Sequence, residues 1–271
     1  VSEFHPGDEV IVQPLTFCGT CDHCLNGMEN YCSEMGIVGK TMNGTQCEYV
    51  QLKSYQLRKK PPHLSFPDAA AFSLVTQTAY AMLVKRAKIK PGETVFIWGA
   101  GSGVGSMAIQ IAHYFECTVY AAAGTDEKVN MAIKLGAEKA WNYKNIDIGS
   151  VVKENTGRSG VDVVFEHVGP KTWDISKKML ATGGRLVTCG ATTGSEVSID
   201  LRHLFMKQQS ILGSTMSDMQ TFDDMLSLIH ENIIHPVVDR IVPMDKVKDA
   251  HEYIKTSGPV GKVVLVNEKP W

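Results

Sequence analysis

The sequence carries no excess of charge of either sign. Twenty-seven Lys and Arg against 29 Asp and Glu leave a formal net charge of −2, so no basic field draws a polyanion or an anionic membrane surface. Long apolar runs are missing as well. "VDVVF", Val161 to Phe165, is among the longest and is already broken by Asp162, far short of the ~20 residues that a membrane-spanning helix needs. The opening stretch "VSEFHPGDEV" is polar and lacks the charged-then-apolar layout of a leader, and a cytoplasmic protein is expected. It also lacks an initiator Met and passes from a turn straight into a strand, so a preceding piece of its domain is expected to be absent from the sequence. Cysteine is scarce: seven residues in 271.

Four of those seven lie within fifteen residues. Cys18, Cys21, Cys24 and Cys32 follow C-x2-C-x2-C-x7-C. Zinc takes four soft ligands in a tetrahedron, and each C-x2-C lets one tight turn offer two thiolates to one ion. Disulfides suit so dense a run less well, and nothing in the sequence points to secretion. An iron–sulfur cluster also uses closely spaced cysteines, often with Pro after the last, whereas Ser33 follows here. A redox C-x-x-C needs a thioredoxin-like context that is not seen. Structural zinc is the favoured expectation, with all four positions closed by protein so that the lobe 18–32 folds around metal and takes no part in catalysis. His23 is then a spectator, and Cys47, Cys117 and Cys189 are ordinary small apolar residues.

From Thr94 onward the pattern alternates between apolar strands and amphipathic helices. "TVFIW", "TVYAAA", "KAWNY", "VDVVFEHVG", "RLVTCG" and "QSILGS" read as six strands. Between them lie helices, including "SMAIQIAHYF", "DEKVNMAIKLG" and "WDISKKMLATGG", the last stopped by its glycines. Short connections between alternating elements imply an α/β fold with a doubly wound parallel sheet, whose ligands sit at the carboxyl ends of the strands. The glycines cluster at those ends. "GAGSGVG", Gly99 to Gly105, follows the first strand and opens a helix, which makes Gly101, Ser102, Gly103 and Val104 candidate contacts for a dinucleotide diphosphate. Val168 and Gly190, in the turns after the fourth and fifth strands, are further candidate cofactor contacts. The second strand ends "AAAGTDEK". Its tip is Ala123–Gly124 and carries no acid to grip a ribose 2′-hydroxyl; Asp126 and Glu127 instead begin the next helix, with Thr125 as cap. A small tip leaves room for a 2′-phosphate, which Thr125 and Lys128 can contact, so NADP is expected ahead of NAD. His167, after the fourth strand, is expected to be satisfied by backbone, though it lies where it could orient a substrate.

Together, "PGDEV", the four-cysteine lobe, "GTQCEYV", "IKPGETVFIWGAGSGVG", "VDVVFEHVG", "GGRLVTCG" and "GKVVLV" resemble the medium-chain dehydrogenase/reductase superfamily, the zinc-type alcohol dehydrogenases and quinone oxidoreductases. The resemblance covers nearly the whole chain. It implies a Rossmann sheet plus a GroES-like β-rich catalytic domain with a structural zinc lobe: residues 1–73 catalytic, 74–215 cofactor-binding, and 216–271 a return to the catalytic part. Within the superfamily, "AAAGTDEK" and "WNYK" look like the NADPH-using quinone reductase branch, which implies that Thr125, Lys128 and Tyr143 surround the 2′-phosphate. A homodimer or homotetramer is implied too, with the sixth strand pairing across a dimer.

Two departures narrow the activity. The third catalytic-zinc ligand of the classical alcohol dehydrogenases aligns with Leu74, which cannot bind metal, and no Ser/Thr–His proton relay is identifiable. The expected function is therefore an NADP(H)-dependent oxidoreductase acting on a carbonyl or activated C=C substrate (an enone, quinone or enoyl thioester), with structural zinc only and no catalytic residue assignable. Two alternatives stay open. One is a zinc-dependent alcohol dehydrogenase whose catalytic ligands precede Val1. The other is a non-catalytic nucleotide-binding protein that has kept the fold.

Overall fold

A computed structural model of the chain describes residues 3–267. The backbone divides into two compact units, residues 1–77 with 216–271 and residues 78–215; the division falls inside one helix.

The first unit begins with four short strands: β1 (Val10–Val12), β2 (Leu15–Thr16), β3 (Gly36–Ile37) and β4 (Leu57–Lys59). β1 pairs antiparallel with β4, and β2 with β3. The cysteine lobe fills the connection from β2 to β3 and holds α1 (Asp22–Leu25). A buried glutamine braces these strands: Gln56 Nε2 donates to the carbonyls of Gln13 and Leu15 at 3.3 and 3.2 Å. Next comes α2 (Phe66–Tyr80), which runs on into a π-helical stretch over 81–86.

The second unit is the doubly wound sheet. It comprises β5 (Thr94–Ile97), α3 (Gly103–Tyr114), β6 (Thr118–Ala123), α4 (Asp126–Lys134), β7 (Lys139–Asn142), α5 (Ile148–Asn155), β8 (Val161–Glu166), α6 (Pro170–Met179), β9 (Leu180–Thr188), α7 (Leu201–Met206) and β10 (Ser210–Gly213). The six strands are parallel in the order β10-β9-β8-β5-β6-β7, so the order reverses between β5 and β8. Helices on both faces bury the central strands completely, which is why "VFI" in β5 and "VVF" in β8 read as unbroken apolar runs. Phe96, Trp98, Tyr120, Val164, Trp173 and Leu186 form one core cluster.

The chain then returns to the first unit with α8 (Met219–His230), β11 (Val238–Pro243), α9 (Val247–Ser257) and β12 (Lys262–Val266); β11 and β12 pair in parallel across α9. Arg58 of β4 grips Asp223 of α8 through two bonds of 2.6 and 3.0 Å, holding the two sequence segments of this unit together. No helix among the described residues is long and apolar enough to cross a membrane.

One expected element needs correction. The helix read from "WDISKKMLATGG" does not run to its glycines: α6 stops at Met179, and Leu180 turns at once into an extended conformation (φ −65°, ψ 135°). Leu180 pairs with Val161 of β8, the ladder breaks, and pairing resumes with Arg185 opposite Val163. The glycines that look like a helix stop belong to a bulge, with Gly183 at φ +76°.

At the amino ends of the strands, opposite the loop cluster, Arg185 of β9 makes a bidentate pair with Glu93 at 2.7 and 2.8 Å and donates to the carbonyls of Ala87 and Lys88. Burial alone would raise the Glu93 carboxyl, but the guanidinium and the Lys90 amide hold it below its ordinary value. A depressed carboxyl contributes stability above its unfolded value of about 4.3 and loses it as pH falls through the folded one. Glu93→Gln should therefore be less stable than wild type by about 1–2 kcal/mol at pH 7, and urea titrations should show the gap closing below pH ~4. A gap that stays constant down to pH 3 would contradict this.

Candidate functional site

The glycine loop is a tight link between β5 and α3. Gly99 adopts φ +59°, and its carbonyl accepts the Ser102 amide at 2.8 Å. Ser102 caps α3: its backbone is extended and its Oγ accepts the Gly105 amide at 3.0 Å. A Cβ on Gly105 would collide with the Gly99 carbonyl, so only glycine lets the helix begin this close to the strand end. The amides of Gly103 and Val104, in the first helical turn, have no intrahelical acceptor and point out of the helix N-terminus with the positive end of its dipole. Among the four loop candidates, these two amides are the groups best suited to an anion.

The tip of β6 lies beside this loop. Thr125 caps α4, its Oγ1 accepting the Lys128 amide at 3.4 Å. The aliphatic stem of Lys128 lies against Gly101, where a Cβ would overlap it. Tyr143, just past β7, donates its amide to the Ala123 carbonyl at 3.1 Å and rests its ring against Gly124, where a Cβ would meet the phenol oxygen at 2.5 Å. Thr125, Lys128 and Tyr143 are therefore gathered around Gly124 and Gly101. Asp126, the nearest acid, is held by the Asn142 side-chain amide at 2.8 Å, in the first turn of α4.

On the other side of the loop, β8 ends in a turn over residues 167–169. His167 Nε2 lies 3.0 Å from the carbonyl of Trp98. A carbonyl only accepts, so Nε2 carries the proton and Nδ1 keeps the lone pair. Burial pushes the His167 imidazole below its ordinary value, against the opposing pull of the Trp98 carbonyl and of Glu166, which favours the neutral ring. Backbone satisfies this histidine, as its strand-end position led us to expect. The Val168 carbonyl accepts both the amide and the hydroxyl of Thr193, each at 2.8 Å. Gly190 faces the same turn, since a Cβ there would lie 2.9 Å from the His167 carbonyl oxygen. Glu166, Ser176 and Trp98, whose side chains hold this turn, are functional residues that no sequence motif singles out. The only outward sign is an acid closing a strand that is otherwise apolar at its end.

The cysteine lobe belongs to the other unit. The Sγ atoms of Cys18, Cys21, Cys24 and Cys32 all lie within 4.8 Å of one another, and this is the only group of three or more metal-ligating side chains so arranged among the described residues. Individual separations are 3.8 Å (Cys18–Cys24), 3.5 Å (Cys21–Cys24) and 3.6 Å (Cys18–Cys32), too long for disulfides. A regular tetrahedron with Zn–S bonds of ~2.3 Å has edges of about 3.8 Å. The donor set therefore fits a tetrahedral thiolate-binding ion. The amides of Thr20 and Cys21 point at Cys18 Sγ and hold that thiol down to about 6. Cys24, desolvated and facing other sulfurs, is pushed up to about 12. His23 packs its ring near Tyr31, 6.0 Å between centroids.

Comparison with known proteins agrees with this architecture. The family model "Alcohol dehydrogenase GroES-like domain" matches residues 1–62, and "Zinc-binding dehydrogenase" matches residues 103–231. The chain is 39% identical to a solved NAD-dependent alcohol dehydrogenase, with a TM-score of 0.93, covering 97% of this chain and 77% of the other. It is 30% identical to a solved 2-octenoyl-CoA carboxylase reductase in complex with NADP and 2-octenoyl-CoA, with a TM-score of 0.91, covering 98% of this chain and 64% of the other. The crotonyl-CoA reductase of Streptomyces avermitilis is 31% identical over the whole of this chain, which spans 65% of that relative's length. With its parallel six-stranded Rossmann sheet, its GroES-like part and these relatives, the chain belongs to the medium-chain dehydrogenase/reductase superfamily of oxidoreductases.

Proposed function

We propose that the protein is an NADP(H)-dependent oxidoreductase that moves hydride between the nicotinamide and an activated C=C or C=O carbon of an enone, quinone or enoyl thioester. The observation that carries this is the tip of β6. Gly124 stands where an acid would grip a 2′-hydroxyl and repel a 2′-phosphate; Tyr143 lies against it, Thr125 follows it in the chain, and the Lys128 stem lies against Gly101 of the neighbouring loop. The solved relative that holds NADP and 2-octenoyl-CoA supports both the cofactor and the substrate class.

The loop residues have distinct parts in this proposal. The Gly103 and Val104 amides receive the diphosphate, and Gly101 and Ser102 let the chain pass close to it. Lys128 and Tyr143 hold the 2′-phosphate; Val168 and Gly190 line the path toward the nicotinamide. The bound nicotinamide supplies the hydride. Residues 74–215 serve as the cofactor-binding domain, and 1–73 with 216–271 as the catalytic domain. β10, at the edge of the sheet, is suited to pairing with a second copy in a homodimer or homotetramer. The four thiolates are proposed to hold structural zinc. The ion would complete a lobe that has few buried side chains of its own, Cys32 among them.

The alternative, a zinc-dependent alcohol dehydrogenase, is favoured by the solved NAD-dependent relative at 39% identity. Metal analysis of the full-length protein separates the two: one zinc per chain fits the reductase, two fit the alcohol dehydrogenase.

Lys128→Ala should weaken NADPH by about 1–2 kcal/mol, as a charge-assisted contact is lost, and leave NADH nearly unchanged, as measured by calorimetric titration. NADH binding wild type as tightly as NADPH would show the 2′-phosphate assignment to be wrong. For the metal, Cys21→Ser should release about one equivalent of zinc and open the lobe to proteolysis, while NADPH affinity stays within about twofold. Full retention of metal by that variant would show that the four sulfurs are not its ligands.

A further inference from the structure

Glu166 is the last residue of β8 and has no exposed surface. No ion pair found among the described residues includes it. A buried carboxylate without a cation is costly unless hydrogen bonds replace its water, and here they do. Oε1 accepts the backbone amides of Val168 and Gly169 at 2.6 and 3.2 Å. Oε2 accepts the hydroxyls of Thr172 and Ser176 at 2.9 and 2.7 Å. Four donors and an acceptor-only group make a complete match.

These bonds do more than cap α6. Ser176 Oγ also accepts the indole N–H of Trp98 at 2.8 Å, which commits the Ser176 proton to Glu166. Trp98 is the residue between β5 and Gly99, and its carbonyl is the acceptor for His167 Nε2–H. The chain of contacts is therefore closed: Trp98 indole, Ser176, Glu166, the turn 167–169, His167, Trp98 carbonyl. It fastens the turn after β8 to the entrance of the glycine loop from both the side chain and the backbone of one residue. The approach is close, since a Cβ on Gly99 would fall 2.7 Å from His167 Cε1.

The placement gives the ring a direction. The 2′-phosphate end of the cofactor is assigned to the tip of β6 and the diphosphate to the α3 N-terminus. The other half must then run away from β6, across the carboxyl ends of β8 and β9. That is where the turn 167–169 and Gly190 lie. We propose that Glu166 is a positioning residue for the nicotinamide half of the cofactor: through the turn 167–169 and through Ser176 it fixes the surface on which that half rests, without touching the adenosine half. This deepens the cofactor assignment above and rests on it.

Glu166→Gln is close to isosteric but replaces one acceptor oxygen with an NH2 group that opposes two of the four donors. The test compares dissociation constants for NADPH and for adenosine 2′,5′-bisphosphate, which carries only the adenosine half, in wild type, Glu166→Gln and Ser176→Ala. Glu166→Gln should weaken NADPH by about tenfold, as a charge-assisted network is broken, and leave the bisphosphate within about twofold. Ser176→Ala should move NADPH in the same direction, by roughly threefold, with the bisphosphate again unchanged. NADPH affinity at the wild-type level in either variant would overturn the proposal. So would equal weakening of both ligands, the signature of general loosening. If Glu166→Gln fails to fold, Ser176→Ala alone decides by the same comparison. Failure of wild type to bind NADPH would overturn the cofactor assignment itself, and this proposal with it.

Discussion

The structure depends on one close approach, that of Gly105 to the carbonyl of Gly99. Because no Cβ intervenes, α3 starts almost on top of the end of β5, and its first-turn amides face the point where the strand order reverses. Every other part of the cofactor site is placed relative to that helix end. The tip of β6 lies on one side with its small residues, and the turn after β8 lies on the other, held by Glu166 and Trp98. A helix N-terminus set against the buried central strands of a sheet is a preorganised source of positive potential, and the chain supplies it from backbone alone.

The two centres of the molecule use different physics. The cysteine lobe sits between two-residue strands in a segment with little core, and the proposed zinc on its four closely set sulfurs would take the place of apolar packing. The sheet has the opposite economy: the side chains of Val95, Phe96 and Ile97 in β5 and of Val163, Val164 and Phe165 in β8 are fully buried. At the amino ends the Arg185–Glu93 pair serves stability; at the carboxyl ends Glu166 and His167 hold the turn beside the glycine loop, where the cofactor is proposed to lie.

Much of this was legible in the sequence where the determinants are local. "TVYAAA" marks β6 to the residue, because a strand buried on both faces needs an unbroken apolar run. The cysteine spacing and the glycine loop were readable because their chemistry lies within fifteen and seven residues. "RLVTCG" marks the second half of β9, but its opening residues read as a helix end, because a glycine pair in a bulge looks the same as a glycine pair ending a helix until the partner strand is known. α2 has no clear sequence signal because its buried residues, among them Ala71, Phe72, Val75, Thr76, Gln77 and Ala79, do not form one stripe. The role of Glu166 was invisible for another reason: its network joins residues 6, 10 and 68 positions away. Only the family resemblance points Tyr143 toward the 2′-phosphate, since nothing in its own sequence neighbourhood marks it; its contact with Gly124 is visible only in the structure.

The central claim is that the α3 N-terminus receives the cofactor's diphosphate, and backbone amide shifts in a 15N-labelled sample titrated with NADPH test it most directly. The largest saturable shifts should fall on Gly101 to Val104, followed by the Thr125–Lys128 turn. Saturable binding whose shifts leave Gly103 and Val104 unmoved would contradict it.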